Sequence, residues 1–227
     1  MIKIINCKKI YDDTVLFKNI NLTAHTGECI VLIGANGSGK TTMLKALLGI
    51  IAVDEGKIVF AENVRVGFLL DDQLLFDEFS IENNMKIYCP LSGIKSSKRK
   101  ESIRRWLDYF GLYEQRKKKV KKISAGMRKR LALAIANLKD PDILLLDEPL
   151  NGLDSESQVK FTNLIQNKIR AGALVIIVSH IIELLKPLAT RWIILKDGEL
   201  TEQYSPPGDQ FAADEHANDS LETGTML

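Results

Sequence analysis

The sequence of 227 residues predicts an α/β fold, and three features of the chain support this prediction. Short runs rich in Ile, Val and Leu recur along it, which is typical of buried strands in parallel sheets. One of these runs leads through a glycine-rich loop into a helical pattern. The middle of the chain differs, because it has helical spacing and few β-branched positions. We therefore expect a strand-rich core with a helical lobe inserted at about residues 80–140.

The predicted elements and the tail follow from the same patterns. Strands are expected at 2–6, 20–24, 28–33, 57–60, 64–69, 143–147, 174–178 and 191–196. Helices are expected at 41–48, 81–89, 97–110 and 125–138, since apolar positions recur there at helical spacing. The segment 205–227 has five acidic residues, two prolines and no Lys or Arg. It is therefore expected to be a disordered tail after a domain that covers 1–204.

The composition is that of an ordinary globular protein. Apolar residues make up 45% of the chain and charged residues 26%, with a net charge of only +2, so no nucleic-acid partner is expected. No apolar run approaches the roughly 18–20 residues of a membrane span. The N-terminus lacks the apolar core of a signal peptide. The widely spaced Cys7, Cys29 and Cys89 predict reduced thiols in a cytosolic protein.

The charge is unevenly distributed along the chain. Residues 95–130 contain fifteen Lys or Arg and three acidic residues, a local balance of +12, so the rest of the chain sums to −10. Two interpretations of this basic segment stay open. It is either a solvated helical surface, or a face that meets phosphate groups or a docking partner.

The strongest motif is a phosphate-binding loop between a predicted strand and a predicted helix. Residues 34–42 match the pattern G-x-x-x-x-G-K-[ST]. The glycines allow backbone N–H groups to surround a phosphate chain, and the helix N-terminus adds partial positive charge. Lys40 is expected to reach the terminal phosphates, and Thr41 to offer its hydroxyl to Mg²⁺. The loop residues expected to bind are Gly34, Asn36, Gly37, Ser38, Gly39, Lys40, Thr41 and Thr42.

A second motif places two carboxylates after an apolar strand. The strand predicted at 143–147 ends in Asp147 and is followed by Glu148. Because the carboxyl ends of parallel strands meet at one edge of a sheet, these groups are expected beside the phosphate loop. Asp147 would hold Mg²⁺ through water, and Glu148 would polarise an attacking water. The structural alternative is a pair of capping residues before the helix that begins near Ser155.

Three shorter features complete the pattern. Ser124 is a natural N-cap, and Ala125-Gly126 would let a phosphate approach the N–H groups that begin the next helix. Asn151-Gly-Leu-Asp154 is typical of a tight turn. His180 follows the strand at 174–178, so we expect it at the same sheet edge, in contact with a γ-phosphate.

Together these motifs resemble the nucleotide-binding subunit of an ATP-binding-cassette (ABC) transporter, over residues 1 to about 200. In that resemblance 34–41 matches the Walker A motif and 143–148 the Walker B motif. Residues 123–127, Ile-Ser-Ala-Gly-Met, match the signature usually written LSGGQ, and 151–154 match the D-loop. The stretches DEPLNGLD and SAGMRKRL are most similar to single-cassette exporters of drugs, lipids or peptides.

The resemblance implies ligands and residue roles. ATP and Mg²⁺ are the implied cofactors, Tyr11 would stack on adenine, and His180 would be the switch histidine. Asp71 stands where the family usually has the Q-loop glutamine, and Gln73 lies two residues later, so either residue can fill that role. The implied catalytic residues are Glu148, His180 and Lys40. The implied metal ligands are Thr41, Asp71 and Asp147.

The resemblance also implies an architecture and an assembly. We expect a P-loop NTPase core, of the ABC type, with a small N-terminal antiparallel subdomain, whose side sheet is trimmed to one hairpin at 57–69 because this stretch is short. A second nucleotide-binding subunit would complete a head-to-tail dimer. Ser124 and Gly126 would then serve the nucleotide of the partner, and Asp154 is also counted as nucleotide-binding.

Transport would need separate transmembrane permease subunits, expected to rest near residues 71–85. The chain would then be cytoplasmic and peripheral on the inner face of the cell membrane. Two other functions are considered. One is a soluble F-class-like ABC protein acting on ribosomes, suggested by the basic lobe and the short predicted hairpin. The other is a regulatory module with little turnover, suggested by the altered signature and by Asp71.

Overall fold

A computed structural model describes residues 1–11, 14–70, 75–91 and 93–203 of the chain. The strands are β1 Ile2–Tyr11, β2 Thr14–Ala24, β3 Cys29–Ile33, β4 Glu55–Phe60, β5 Val66–Leu69, β6 Ile143–Asp147, β7 Leu174–Val178, β8 Arg191–Lys196 and β9 Glu199–Gln203. The helices are α1 Lys40–Leu47, α2 Ile81–Leu91, α3 Ser96–Tyr109, α4 Ala125–Ala136, α5 Ser155–Arg170 and α6 Ile182–Leu185. Short 3-10 turns cover Tyr113–Gln115 and Val120–Lys122.

The larger sheet has six strands in the order β5-β6-β7-β3-β8-β9. Its first five strands are parallel, and β9 pairs antiparallel with β8 at the edge. Every residue of β3, β6 and β7 is buried, which explains why these strands are continuous aliphatic runs in the sequence. Because the central strands are parallel, the residues that follow β3, β6 and β7 meet at one edge.

The smaller sheet has three antiparallel strands in the order β2-β1-β4. This confirms the N-terminal antiparallel subdomain, but the predicted hairpin at 57–69 is wrong. β4 pairs with β1, whereas β5 joins the parallel sheet beside β6. A bidentate ion pair from Arg65 to Asp142 holds the start of β5 against the start of β6. Two apolar runs with a short turn between them resemble a hairpin, yet each run pairs with a strand of a different sheet.

The helical lobe predicted at 80–140 contains α2, α3, both 3-10 turns and α4. Trp106, Leu107 and Phe110 of this lobe belong to the apolar core on one side of the large sheet. A second apolar core fills the space between the two sheets and α1. Both cores therefore pack against the large sheet, one on each face.

No helix in the described parts of the chain is long and apolar enough to cross a membrane. The segment predicted as a tail, 205–227, lies outside the described residues. The domain boundary at 204 therefore stays a prediction.

Candidate functional site

The phosphate loop connects β3 to α1 and makes a tight curve against β8. A Cβ atom at Gly34 would lie 2.3 Å from the carbonyl oxygen of Leu195, so only glycine allows this approach. Gly39, with φ 100°, precedes α1 and makes no side-chain cap. The first N–H groups of α1 are thus left to an anionic ligand, which is how such a loop binds phosphate.

Lys40 is the first residue of α1 and is only 7% exposed. Its Nζ donates hydrogen bonds to the carbonyl oxygens of Gly34, at 2.6 Å, and Ala35, at 2.8 Å. These bonds hold the ammonium group inside the curve of the loop. A buried ammonium group that is held by two backbone carbonyl oxygens is well placed to bind the terminal phosphates of a nucleotide.

Thr41 and Asp147 bring the loop and the end of β6 together. The Thr41 hydroxyl donates to Oδ2 of Asp147 at 2.7 Å. Burial raises the pKa of Asp147, and the bond from Thr41 and the charge of Lys40 oppose this rise. Hydroxyl and carboxylate oxygens are hard donors that suit Mg²⁺, which binds through few protein groups and keeps several waters.

Glu148 follows β6 in an unusual backbone conformation. Its φ is 44°, in the left-handed region, and its N–H donates to the carbonyl of Val178 at 2.9 Å. Burial is the main reason that the pKa of Glu148 is raised; the nearby Asp147 carboxylate adds to this, while His180 opposes it. A strained backbone at a polar residue is typical of a functional site. A raised pKa brings a carboxyl group closer to the range in which it can act as a base.

His180 extends from the end of β7 to Glu148. Nε2 of His180 lies 3.0 Å from Oε1 of Glu148, and the backbone N–H of His180 donates to Oε2 at 3.4 Å. Oε1 nevertheless has no hydrogen bond of ordinary geometry from the described residues, and the same is true of the buried Oγ of Ser38 in the phosphate loop. Buried polar atoms of this kind normally have partners, so the Ser38 hydroxyl is suited to donate to a phosphate and Oε1 of Glu148 to accept from a water.

These groups line one cleft of about 370 Å³. Its walls include Asn36, Gly37, Gly39, Lys40, Thr41 and Thr42 from the loop and α1. Asp147, Glu148 and His180 form the opposite wall. Gly34 and Ser38 line a second cavity, which His180 also lines. The structure therefore brings together the phosphate loop, both carboxylates and the histidine, as the sequence predicts.

The signature residues lie on a different surface. Ser124 is exposed and caps α4, accepting a hydrogen bond from the N–H of Met127 at 3.2 Å. A Cβ at Gly126 would lie 2.9 Å from the carbonyl oxygen of Gly152, so α4 packs directly on the turn after Glu148. Neither Ser124 nor Gly126 lines the cleft of its own chain.

The remaining predicted residues are also away from the cleft or lie outside the described residues. Asp154 is exposed and caps α5, with Oδ1 accepting from the N–H of Ser157 at 2.8 Å. Tyr11 is 57% exposed at the end of β1 and does not line the cleft. Asp71 and Gln73 fall in the stretch 71–74, outside the described residues, so the choice between them stays open.

Lys129 lines the cleft but was missed by the sequence reasoning. It lies between Arg128 and Arg130 in a basic helix, and nothing in the local sequence distinguishes it from these neighbours. Only its position in the folded chain does so.

Comparison with known proteins indicates the same family as the motifs that form the site. The family model described as "ABC transporter" matches residues 17–151. The chain is 33% identical to the lantibiotic transport ATP-binding protein SrtF of Streptococcus pyogenes, over 83% of this chain and 84% of that protein. It is 29% identical to the Nod factor export ATP-binding protein I of Cupriavidus metallidurans, over 88% of this chain and 70% of that protein.

Solved structures share the fold. The dimeric, post-hydrolysis structure of the ATP-binding cassette MJ0796, bound to ADP and Pi, has a TM-score of 0.81 and 26% identity, and covers 90% of this chain and 98% of that chain. The ATP-binding subunit of an ABC transporter has a TM-score of 0.83 over 99% of this chain and 95% of that chain. At 19% identity, the second comparison supports the fold alone.

Proposed function

This chain belongs to the ABC transporter family, and on that premise we propose that it is the ATP-hydrolysing subunit of an exporter whose membrane subunits are separate chains. One observation carries the proposal. Lys40, Thr41, Asp147, Glu148 and His180 converge on a single cleft, although they come from three separate stretches of the chain. The direction of transport is supported by relatives that are named for lantibiotic transport and Nod factor export.

ATP would bind with its phosphates in the curve of the loop. Lys40 and the N–H groups at the start of α1 would stabilise the charge of the β- and γ-phosphates. Thr41 and Asp147 would hold Mg²⁺, since their oxygens are already 2.7 Å apart at the end of the loop. When bound, the metal would neutralise charge on the phosphates during hydrolysis.

Glu148 would act as the general base. Its carboxylate would accept a proton from the water that attacks the γ-phosphate in line with the leaving oxygen. His180, with Nε2 3.0 Å from Oε1 of Glu148, would hold this carboxylate in position and contact the γ-phosphate. Positioning and charge stabilisation would supply most of the rate enhancement.

A second nucleotide-binding subunit would complete the site. Ser124 and Gly126 begin α4 away from the cleft of their own chain, where they are available to a nucleotide held by a partner. Asp154 lies on the exposed turn beside them. The similarity to a cassette solved as a dimer supports this arrangement.

The membrane subunits would dock beside α2, with the chain on the inner face of the cell membrane. Phe76 and Phe79 are 45% and 47% exposed there, and their rings pack edge to face. The buried Asn84 holds the loop that presents them, because its amide bonds to the backbone N–H and carbonyl of Phe76. Exposed aromatic side chains fixed by a buried amide are suited to an apolar partner surface.

The test of the proposed activity is Mg²⁺-dependent release of phosphate from ATP by the purified chain. Wild-type protein should turn over ATP, and Glu148→Gln should bind ATP without hydrolysing it. A wild-type protein that binds ATP but shows no turnover, alone or with membrane subunits, would favour the regulatory alternative.

The docking surface is tested separately. A Phe76→Ser, Phe79→Ser double variant should lose binding to membranes from its own cells while basal hydrolysis is retained. Unchanged binding would exclude this surface.

A further inference from the structure

The helical lobe contacts the nucleotide cleft of its own chain through one charged side chain. Among the described residues that line the cleft, Lys129 comes from α4, whereas the others come from the phosphate loop, α1 and the residues at or beyond the ends of β5, β6 and β7. The N-terminus of α4 faces away from this cleft, and Lys129, in the second turn of the same helix, faces into it.

The neighbours of Lys129 on α4 have different contacts. Arg128 pairs with Asp77, with 2.5 Å between Nη1 and Oδ1. Arg130 donates to the carbonyl oxygen of Phe110 at 3.2 Å. Both arginines thus hold parts of the lobe and its edge together. Lys129 is the member of this basic triplet that lies beside the carboxylates of the Walker B strand.

The charged groups of the cleft determine what a cation at position 129 would attract. Asp147 and Glu148 bring two carboxylates to the cleft, and Lys40 brings one cation that the loop carbonyls already hold. A bound nucleotide adds further negative charge. A second cation at this end would attract both the carboxylates and the phosphates, and in a partly buried cleft that attraction is little screened.

We propose that Lys129 is a nucleotide-positioning residue that supplies positive charge at the metal end of its own chain's cleft and so ties the helical lobe to the nucleotide bound there. This inference rests on the proposed function, since it requires that the cleft binds ATP. Before Mg²⁺ binds, Lys129 would supply part of the positive charge that the metal supplies afterwards. Each lobe would then respond to two nucleotides: its own through Lys129, and that of the partner through Ser124 and Gly126.

The experiment measures how strongly nucleotide binding depends on the metal. A ribose-labelled fluorescent ATP is titrated into the full chain with excess EDTA and, separately, with excess Mg²⁺, and the two dissociation constants are compared. Lys129→Gln should weaken metal-free binding by about fivefold or more, the size expected when one nearby charge is removed from a partly screened site. The loss in Mg²⁺ should be smaller, so the ratio of the two constants should rise. Lys129→Arg should restore the wild-type ratio.

Lys45→Gln is the matched control. Lys45 carries the same charge, but it is exposed on α1 and does not line the cleft. Its loss should leave the ratio unchanged. Equal ratios for wild type and Lys129→Gln, or an equal shift in the Lys45 variant, would overturn the inference. Failure of the wild-type protein to bind the analogue under either condition would instead contradict the proposed function, so the two failures are distinguishable.

Discussion

The carboxyl edge of the large sheet and the surface of the helical lobe use charge in different ways. At the sheet edge, Lys40 and Asp147 are each only 7% exposed and are held by short hydrogen bonds to the phosphate loop. On the lobe, both side chains of an ion pair such as that of Lys121 with Glu78 are exposed. Exposed pairs contribute little stability, whereas buried ones set pKa values and geometry. The difference indicates that function at the sheet edge depends on individual atoms, while most charges of the lobe are replaceable.

The largest expected effect comes from the sheet edge. Glu148→Gln should lower ATP hydrolysis by about 10²–10⁴-fold, because it removes a positioned general base. ATP binding should be retained, and a nucleotide-bound dimer should accumulate. Steady-state phosphate release and size-exclusion chromatography with ATP are the measurements. Near-normal turnover in this variant would remove Glu148 from the catalytic role.

Acidification should affect hydrolysis through the buried Glu148. Burial raises the pKa of Glu148, so its carboxylate becomes protonated at a higher pH than an exposed glutamate would. Hydrolysis should therefore fall as the pH drops through this raised value. The sign for stability is opposite: ionising Glu148 costs folding free energy as the pH rises through the same value. Glu148→Gln should consequently unfold at a temperature no lower than wild type near neutral pH; a marked decrease would contradict the burial argument.

Lys40→Ala tests the phosphate loop through the affinity for ATP rather than through the rate of hydrolysis. Hydrogen bonds to charged groups contribute about 1.5–3 kcal/mol, so ATP affinity should fall by roughly 10–100-fold. Titration with a fluorescent nucleotide measures this. Lys45→Ala, on the exposed face of the same helix, is the control and should bind like wild type. Unchanged affinity in the Lys40 variant would contradict the assignment of 34–42.

Gly126→Ala probes the place where the lobe meets the core. The new Cβ would lie 2.9 Å from the carbonyl oxygen of Gly152, so α4 or the turn must shift. Overpacking of this kind costs about 1–3 kcal/mol, which thermal unfolding detects. Ala125→Ser, at the adjacent exposed position, should leave the unfolding temperature unchanged. Equal temperatures for both variants would mean that α4 does not pack this tightly on the turn.

The smallest effect is expected on the surface of the lobe. Lys117, Lys118 and Lys119 are exposed, and none of them lines the cleft. Changing all three to Gln should leave basal hydrolysis within a few-fold, as measured by phosphate release. Tight RNA binding by the wild type, with a salt dependence that this triple change reduces, would favour the ribosomal alternative over transport.

Local patterns in the sequence were sufficient for the fold class and for most of the site. The strand, glycine loop and lysine at 28–40, and the apolar strand that ends in Asp147, each encode their conformation within a few residues. His180 could be placed because it directly follows a buried strand, and parallel strands end at a common edge. The structure gives the positions of these residues, but their roles towards nucleotide and metal, like those of Ser124, Gly126, Asp154, Tyr11 and Asp71, stay predictions.

Contacts between distant parts of the chain decided the rest, because sequence periodicity contains no information about which surfaces meet. β4 and β5 resemble a hairpin locally, but pairing with β1 and β6 separates them into two sheets. Arg128, Lys129 and Arg130 are similar in sequence, yet they reach Asp77, the nucleotide cleft and Phe110 respectively. Residue type and spacing thus determined the chemistry available to this protein. Only tertiary packing, which buries some charges and exposes others, determined which cation of α4 lines the cleft.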